Sequence, residues 1–349
     1  MNKETSIYLD SIRFLAALVV VAGHAGEGRL GGGVLWHFIP FGSVAVVVFF
    51  VLSGYVVDYA TQMRETDGTT YTLSRAMRIG SVAIPALILT VSLDSIGRHI
   101  DPTLYEHYYL SWDTFVVCLA FLNESWAHVT LGSNEPFWSL GYEVPFYVLY
   151  GVSIFASGRW RAVGLGVASL LFGPRVIALF PMWLLGVISY RISLRSVVGE
   201  HFGWLLLMSS LLVGSTILIF TQGSGTLRID GMFDHSPLQL SEDYLFAALF
   251  AVHLIGFSAV SSRFTWTHQY ARPVRWLAGA TFSLYLFHFP ILVFASAIIS
   301  SNHYSLSYSV VSLAASVAGA FLLAELTERR KVWWQRSLLG LAKRVRSAW

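Results

Sequence analysis

The sequence predicts an all-α polytopic membrane protein of about ten transmembrane helices with both termini cytoplasmic, and three observations carry that prediction. Of its 349 residues 55% are hydrophobic and 12% charged, with a mean hydropathy of +0.61, whereas a soluble domain is roughly 25% charged. Windows of about 20 mainly apolar residues, the length that crosses a bilayer's hydrocarbon core, recur ten times. The basic residues gather on alternate connections. With the N-terminus inside, the inner set is Lys3; Arg64, Arg75 and Arg78; Arg159 and Arg161; Arg191 and Arg195; Arg263, Arg272 and Arg275; and Arg329, Arg330, Lys331, Arg336, Lys343, Arg344 and Arg346. Only Arg29, Arg98, Arg175 and Arg228 fall outside, and Arg13 lies within the first span. The net charge of +3 therefore describes topology and gives no reason to expect nucleic-acid binding.

The first span, 7 to 26, is apolar from Phe14 to Ala22 but carries Asp10, Arg13 and His24. Arg13 and His24 are eleven positions apart, close to three helical turns, so they share a face about 16 Å apart along the axis. Ionisable groups inside a membrane are costly and usually face a pathway or a reaction site. Although it resembles a signal peptide, the segment is broken early by Asp10 and Arg13 and lacks a clear cleavage site, so it reads as a retained span.

The spans that follow are 39 to 60, 79 to 97, 136 to 156, 161 to 174, 176 to 191, 203 to 221, 244 to 262, 276 to 300 and 306 to 326. The segment from Ser111 to Leu122 is apolar but too short to cross and reads as re-entrant or interfacial. Two long outer connections, 98 to 135 and 222 to 243, are candidates for functional covers; the second holds Asp230, Asp234, His235, Glu242 and Asp243. A single cysteine, Cys118, precludes an intrachain disulfide, and no Cys/His cluster with metal-ligand spacing is evident. The chain divides into a transmembrane domain, 1 to 330, and a basic cytoplasmic tail, 331 to 349.

Three further segments carry chemistry. Arg75 and Arg78, at the cytoplasmic start of the third span, stand three residues apart on one helix face, as guanidinium forks that bind phosphate do. Glu143, at the outer end of the fourth span and at a depth comparable to His24, is placed to orient a histidine or to move a proton. His288, near mid-membrane in the ninth span, shares a face with Tyr285.

Together these segments closely resemble the acyltransferase 3 family of integral membrane acyltransferases, which includes bacterial O-antigen and exopolysaccharide O-acetyltransferases. The matching motifs are Arg13-x10-His24, Phe49-Phe50-Val51-Leu52-Ser53-Gly54-Tyr55, Arg75-x-x-Arg78, Trp138-Ser139-Leu140-x-x-Glu143-x-x-Phe146-Tyr147 and Ser283-Leu284-Tyr285-Leu286-x-His288-x-Pro290. They occur in the family's order across nearly the whole chain. The resemblance implies a catalytic His24, an essential Arg13, and Arg75 and Arg78 at the acyl donor. Val144 stands where a second acidic residue is common, and the Glu-x-Pro character often found after the last helix is missing from Glu325 to Arg330. No appended hydrolase-like domain is seen, which suggests direct transfer to the acceptor.

The expected activity is thus an acetyl-CoA-dependent O-acetyltransferase of a bacterial inner membrane, moving an acyl group, most simply acetyl, from cytosolic acyl-CoA to a hydroxyl of an extracytoplasmic sugar or glycan. No tightly bound cofactor is expected; acyl-CoA is a co-substrate. His24 serves as general base or carries the acyl group, Glu143 assists it, and Ser139, Tyr285 and His288 line the chamber. The alternatives are transfer to another small molecule, such as an antibiotic or lipid-linked sugar, and a non-catalytic transporter or binding protein of the same fold.

Overall fold

The computed structural model describes residues 1–27, 30, 35–222, 237–299 and 306–330. Arg29, Arg228, Asp230, Asp234, His235 and the basic tail lie outside the described residues. Within them the chain is helical: α1 (Lys3–Ala25), α2 (Phe41–Met63), α3 (Gly68–Ile100), α4 (Trp112–Leu119), α5 (Leu140–Phe155), α6 (Gly158–Leu194), α7 (Glu200–Gln222), α8 (Pro237–Val260), α9 (Ala271–Ala278), α10 (Thr281–Ile298) and α11 (Leu306–Leu326). Among the described residues eight helical stretches are long and apolar enough to cross a membrane. The protein is an all-α polytopic membrane protein.

Local chemistry sets the helix starts. Asn2 caps α1 by accepting the Thr5 N–H at 2.9 Å, and Asp67 caps α3 by accepting that of Thr70 at 2.9 Å. The Thr70 N–H and hydroxyl hold the exposed Asp67 carboxyl below the usual carboxylate range. Capping draws both helices out beyond the apolar windows that marked them. Eight-residue α4 starts at a reciprocal Ser111–Thr114 capping box and displays Trp112 to the outside, as an interfacial segment would.

The expected fifth and sixth spans are the two limbs of α6, which meet at Gly173 with φ 73°. A left-handed conformation there suits glycine, and the chain folds back on itself at this point. The first limb returns along α5, since Gly164 faces Val152, and its end reaches the 123–126 loop, where Trp126 Nε1 donates to the Leu170 carbonyl at 3.1 Å. The second limb leaves from the same loop, where Arg175 meets Glu124 at 3.1 Å, and ends where Arg191 grips Asp58 of α2 with two bonds of 3.1 Å. The expected ninth span begins late. Its first turns form a separate amphipathic helix, α9, and the chain breaks at Gly279 and Ala280 before α10, because α9 carries Arg272 and Arg275 on a polar face unlike the apolar α10.

Backbones approach closely between α2 and α6, where glycines face backbone across the interface in both directions. A Cβ on Gly54 would run into the Trp183 carbonyl, and one on Gly186 into the Val51 carbonyl. Small residues that allow such approach are how membrane helices associate, since lipid removes the hydrophobic drive between them. Either Gly54→Ala or Gly186→Ala should therefore cost about 1–3 kcal/mol. The check is an earlier loss of the monodisperse peak on heating in detergent; unchanged thermal stability in both variants would refute this packing.

Candidate functional site

One face of α1 carries both Arg13 and His24. At the end where α1 begins, a cavity of about 450 Å³ is lined by Asp10, Arg13, Ser53, Arg78, Ser139, Glu143, Arg275, Tyr285 and Glu328, among others. It continues toward the helix starts into a second space that shares Asp10, Arg13, Arg78 and Arg275 and adds Lys3 and Arg64. Five cations thus face a channel in which Asp10 pairs with Arg13 at 3.7 Å. Among the described residues Arg64, Arg78 and Arg275 have no carboxylate within ion-pairing distance. Cations left unpaired around a cavity call for an anionic ligand. Glu328 is occupied at the N-terminus of α10, where it accepts the Ser283 N–H at 2.9 Å.

His24 sits three turns further along α1, 3% exposed. Its Nδ1–H donates to the Glu27 carboxylate at 2.6 Å, which fixes the tautomer and leaves the lone pair on Nε2. A carboxylate paired in this way holds the imidazole ring in one orientation. Glu135 closes the other side: ligand atoms of His24, Glu27 and Glu135 all lie within 4.8 Å of one another. One imidazole and two carboxylates are a donor set that could hold a divalent ion, a grouping the linear spacing did not show. Glu135 is held by its neighbours. Asp94 of α3 accepts from the Ser133 N–H at 2.7 Å and hydroxyl at 2.6 Å, and the Asn134 amide donates to Thr90 at 2.9 Å.

Neither His24 nor His288 is among the residues that line the first cavity, so of the three residues expected to line it only Ser139 and Tyr285 do. Tyr285 separates His24 from the cavity: it lines the cavity, its ring is 6.3 Å from that of His288, and the His288 ring is 5.3 Å from that of His24. Ser139 lies in the 3-10 turn before α5 and donates to the Pro136 carbonyl at 3.2 Å.

Two further expected placements are revised. Glu143 does not partner His24. Its carboxylate accepts from Ser53 at 3.0 Å and from the Tyr147 hydroxyl one turn on, so it belongs to the cation-lined cavity, and Glu27 takes the role of orienting the histidine. Nor do Arg75 and Arg78 share a cavity. Arg75 turns away from Arg78 into an ion pair with Glu65 at 2.8 Å, its guanidinium 5.0 Å from the Tyr71 ring and 5.7 Å from that of Tyr147. It borders a separate apolar groove of about 720 Å³ between α3 and α5. Since Tyr147 bonds Glu143, Arg75 reaches the cavity only through that tyrosine.

The family follows from comparison with known proteins. Residues 6–325 match the acyltransferase 3 family model, described as an acyltransferase domain. The chain belongs to this family. Relatives of the family member include the acyltransferase MdmB of Streptomyces mycarofaciens, 30% identical over 50% of this chain and 47% of that protein. The peptidoglycan O-acetyltransferase OatA of Listeria monocytogenes is 22% identical over 92% of this chain and 54% of its own length. The exopolysaccharide production protein ExoZ of Rhizobium meliloti is 28% identical over 41% of this chain and 43% of its own. The acyltransferase 3 chain spans about half the length of the curated relatives it matches. No solved structure matches it.

The Glu65–Arg75 pair is buried, its side chains 6% and 10% exposed. Removing one partner strands the other charge, so Arg75→Ala and Glu65→Ala should each destabilise the protein by about 3 kcal/mol or more, and the double variant by less than the sum. Thermal unfolding in detergent measures this; additive losses would show that the two side chains do not interact.

Proposed function

We propose that this acyltransferase moves an acetyl group from cytosolic acetyl-CoA to a hydroxyl of a sugar or glycan on the far side of a bacterial inner membrane. The observation that carries the reading is α1 itself, which places a cation-lined cavity and a carboxylate-oriented imidazole three turns apart on one helix. Coenzyme A carries a diphosphate and a further phosphate on its nucleotide, with a long, uncharged arm ending in the thioester. Arg78, Arg13 and Arg275, with Arg64 and Lys3 at the mouth, match the phosphates, and the arm runs past Ser139 and Tyr285 toward His24. Arg75 is a positioning residue in this scheme, holding Tyr147 and through it Glu143.

At His24 the neutral Nε2 takes the proton of the acceptor hydroxyl as its oxygen attacks the thioester carbonyl. The new carbon–oxygen bond forms, the carbon–sulfur bond breaks, and the imidazolium returns the proton to the departing thiolate. Glu27, hydrogen-bonded at Nδ1, stabilises the charge that His24 carries between those events. Such base catalysis contributes about 10² to 10⁴ in rate. Relatives named for the O-acetylation of peptidoglycan and for exopolysaccharide production support a glycan acceptor.

The test is label transfer from radioactive acetyl-CoA to glycan in membranes containing the protein, with free CoA thiol counted in parallel. His24→Ala should abolish both signals in a variant that still elutes as a monodisperse peak. Glu27→Gln should lower kcat by about 10- to 100-fold with little change in KM for acetyl-CoA, since it orients the base without touching the donor. Arg78→Ala should raise the acetyl-CoA KM more than tenfold, whereas Arg78→Lys recovers only part of the loss. A His24→Ala protein of full activity ends this proposal.

Sidedness is the second test. In a Cys118→Ser background, a cysteine at Thr103 should react with an impermeant thiol reagent on intact cells, and one at Thr66 only after the membrane is opened. The reverse pattern would put the cationic mouth on the outer face and remove the cytosolic donor from the scheme.

A further inference from the structure

The proposed mechanism uses one imidazole, yet a second lies beside it, the two ring centres 5.3 Å apart. His288 is fully buried on α10, and its Nδ1 lies 3.0 Å from the Leu284 carbonyl and 2.8 Å from the Tyr285 carbonyl. Carbonyl oxygens only accept, so Nδ1 carries the proton and Nε2 holds a lone pair. That Nε2 has no hydrogen-bond partner among the described residues. A buried acceptor left unpaired costs about 1–3 kcal/mol, and such an atom in a native core calls for an explanation. The surroundings sharpen the question. The His24 ring is 5.3 Å away, and its own Nε2 is a lone pair because Glu27 has taken its Nδ1–H. Two lone pairs cannot satisfy one another, so a donor has to come from a third group.

A hydroxyl has one proton to give. In the mechanism above, that proton goes to His24, and the attacked oxygen then has nothing left for His288. We propose that His288 Nε2 receives a hydrogen bond from a second hydroxyl of the acceptor, next to the one that is acylated. The inference rests on the acyl-transfer reading and narrows its substrate class: the acceptor offers two neighbouring O–H groups, as a sugar ring with a free vicinal diol does, and a lone alcohol is a poor substitute. His288 then acts as a specificity-determining residue, selecting acceptors through an unpaired atom that only a donor can repair, the arrangement by which buried polar groups reject analogues lacking a hydroxyl.

The experiment compares His288→Gln with His288→Met. The two side chains have the same length and nearly the same shape, and only glutamine offers an acceptor oxygen where Nε2 stood. CoA thiol release from acetyl-CoA by the purified protein is followed with cis-1,2-cyclohexanediol and with cyclohexanol as acceptors. The wild type should favour the diol by at least tenfold in kcat/KM; His288→Gln should keep most of that preference, and His288→Met should lose it, while the acetyl-CoA KM stays unchanged in all three. A purely structural histidine predicts the opposite order, with methionine packing at least as well as glutamine in an apolar site. If neither alcohol is accepted, the same Gln-against-Met comparison is read from label transfer to membrane glycan. Transfer without diol preference, or Met and Gln variants of equal activity, would overturn the role of His288 and leave the acyl-transfer reading standing. A wild type that transfers acetyl to neither alcohols nor glycan overturns both.

Discussion

The eleven-residue interval between Arg13 and His24 on α1 constrains the rest of the molecule. An α-helix rises about 1.5 Å per residue and does not stretch, so a group bound at Arg13 and a group reacting at His24 stay about 16 Å apart whatever the surrounding helices do. On the proposed reading, the donor served by both is long, anionic at one end and reactive at the other. The remaining elements are arranged on that axis. Helices α2, α5 and α10 supply Ser53, Glu143 and Tyr285 to the cavity beside Arg13. The other end of α1 meets His288 and Phe289 of α10 and the start of the 3-10 turn at Glu135.

Charge is distributed unevenly along this axis, and the two ends use it differently. At the mouth, Arg64, Arg78 and Arg275 lack carboxylate partners among the described residues, and their repulsion favours an anion. Elsewhere buried charge is neutralised locally: Arg75 by Glu65, Arg191 by Asp58, Arg175 by Glu124. In a setting where an unpaired buried ion is costly, cations without partners around a cavity mark a place for a ligand, while paired ions hold helices together. The Asp58 group shows the second use. Arg191 of α6, Tyr150 of α5 and Gln62 of α2 itself all donate to it, tying three helices at the mouth end.

Much of this was legible in the sequence because the bilayer imposes a simple code of apolar length. Even the reversal at Gly173 was implied by Arg161 and Arg191, which belong to the same side only if the chain turns between them. The break at Gly279 was not legible, since Trp276, Leu277 and Ala278 are apolar enough to extend the window into α10. Within the site, spacing along one helix was informative and spacing between helices was not. The Arg13–His24 face could be read directly, but Glu143 was assigned to His24 on depth alone, and depth says nothing about azimuth: its carboxylate faces Ser53 on α2. Arg75 and Arg78 show the limit of the i, i+3 argument. Residues at that interval are offset by about 60° around the axis, and Glu65 and the rings of Tyr71 and Tyr147 draw Arg75 to the other side of that divide.

Glu27 was within reach of the sequence, three residues after His24 and on the same helical face if α1 is continued by one turn. It was hidden by the glycines on either side, Gly26 and Gly28, with Gly31 to Gly33 close behind, which read as loop and discourage helical bookkeeping. Glu135 had no such signal, because its approach to His24 depends on Ser133 and Asn134 being pinned to α3 by Asp94 and Thr90. The surroundings of His24 are therefore built in two ways. One carboxylate is local to the histidine and fixes its tautomer, and the other arrives through a long connection whose buried hydrogen bonds set its place. A site made in this way keeps the imidazole rigid on α1 while its far wall is carried by the 101–134 connection.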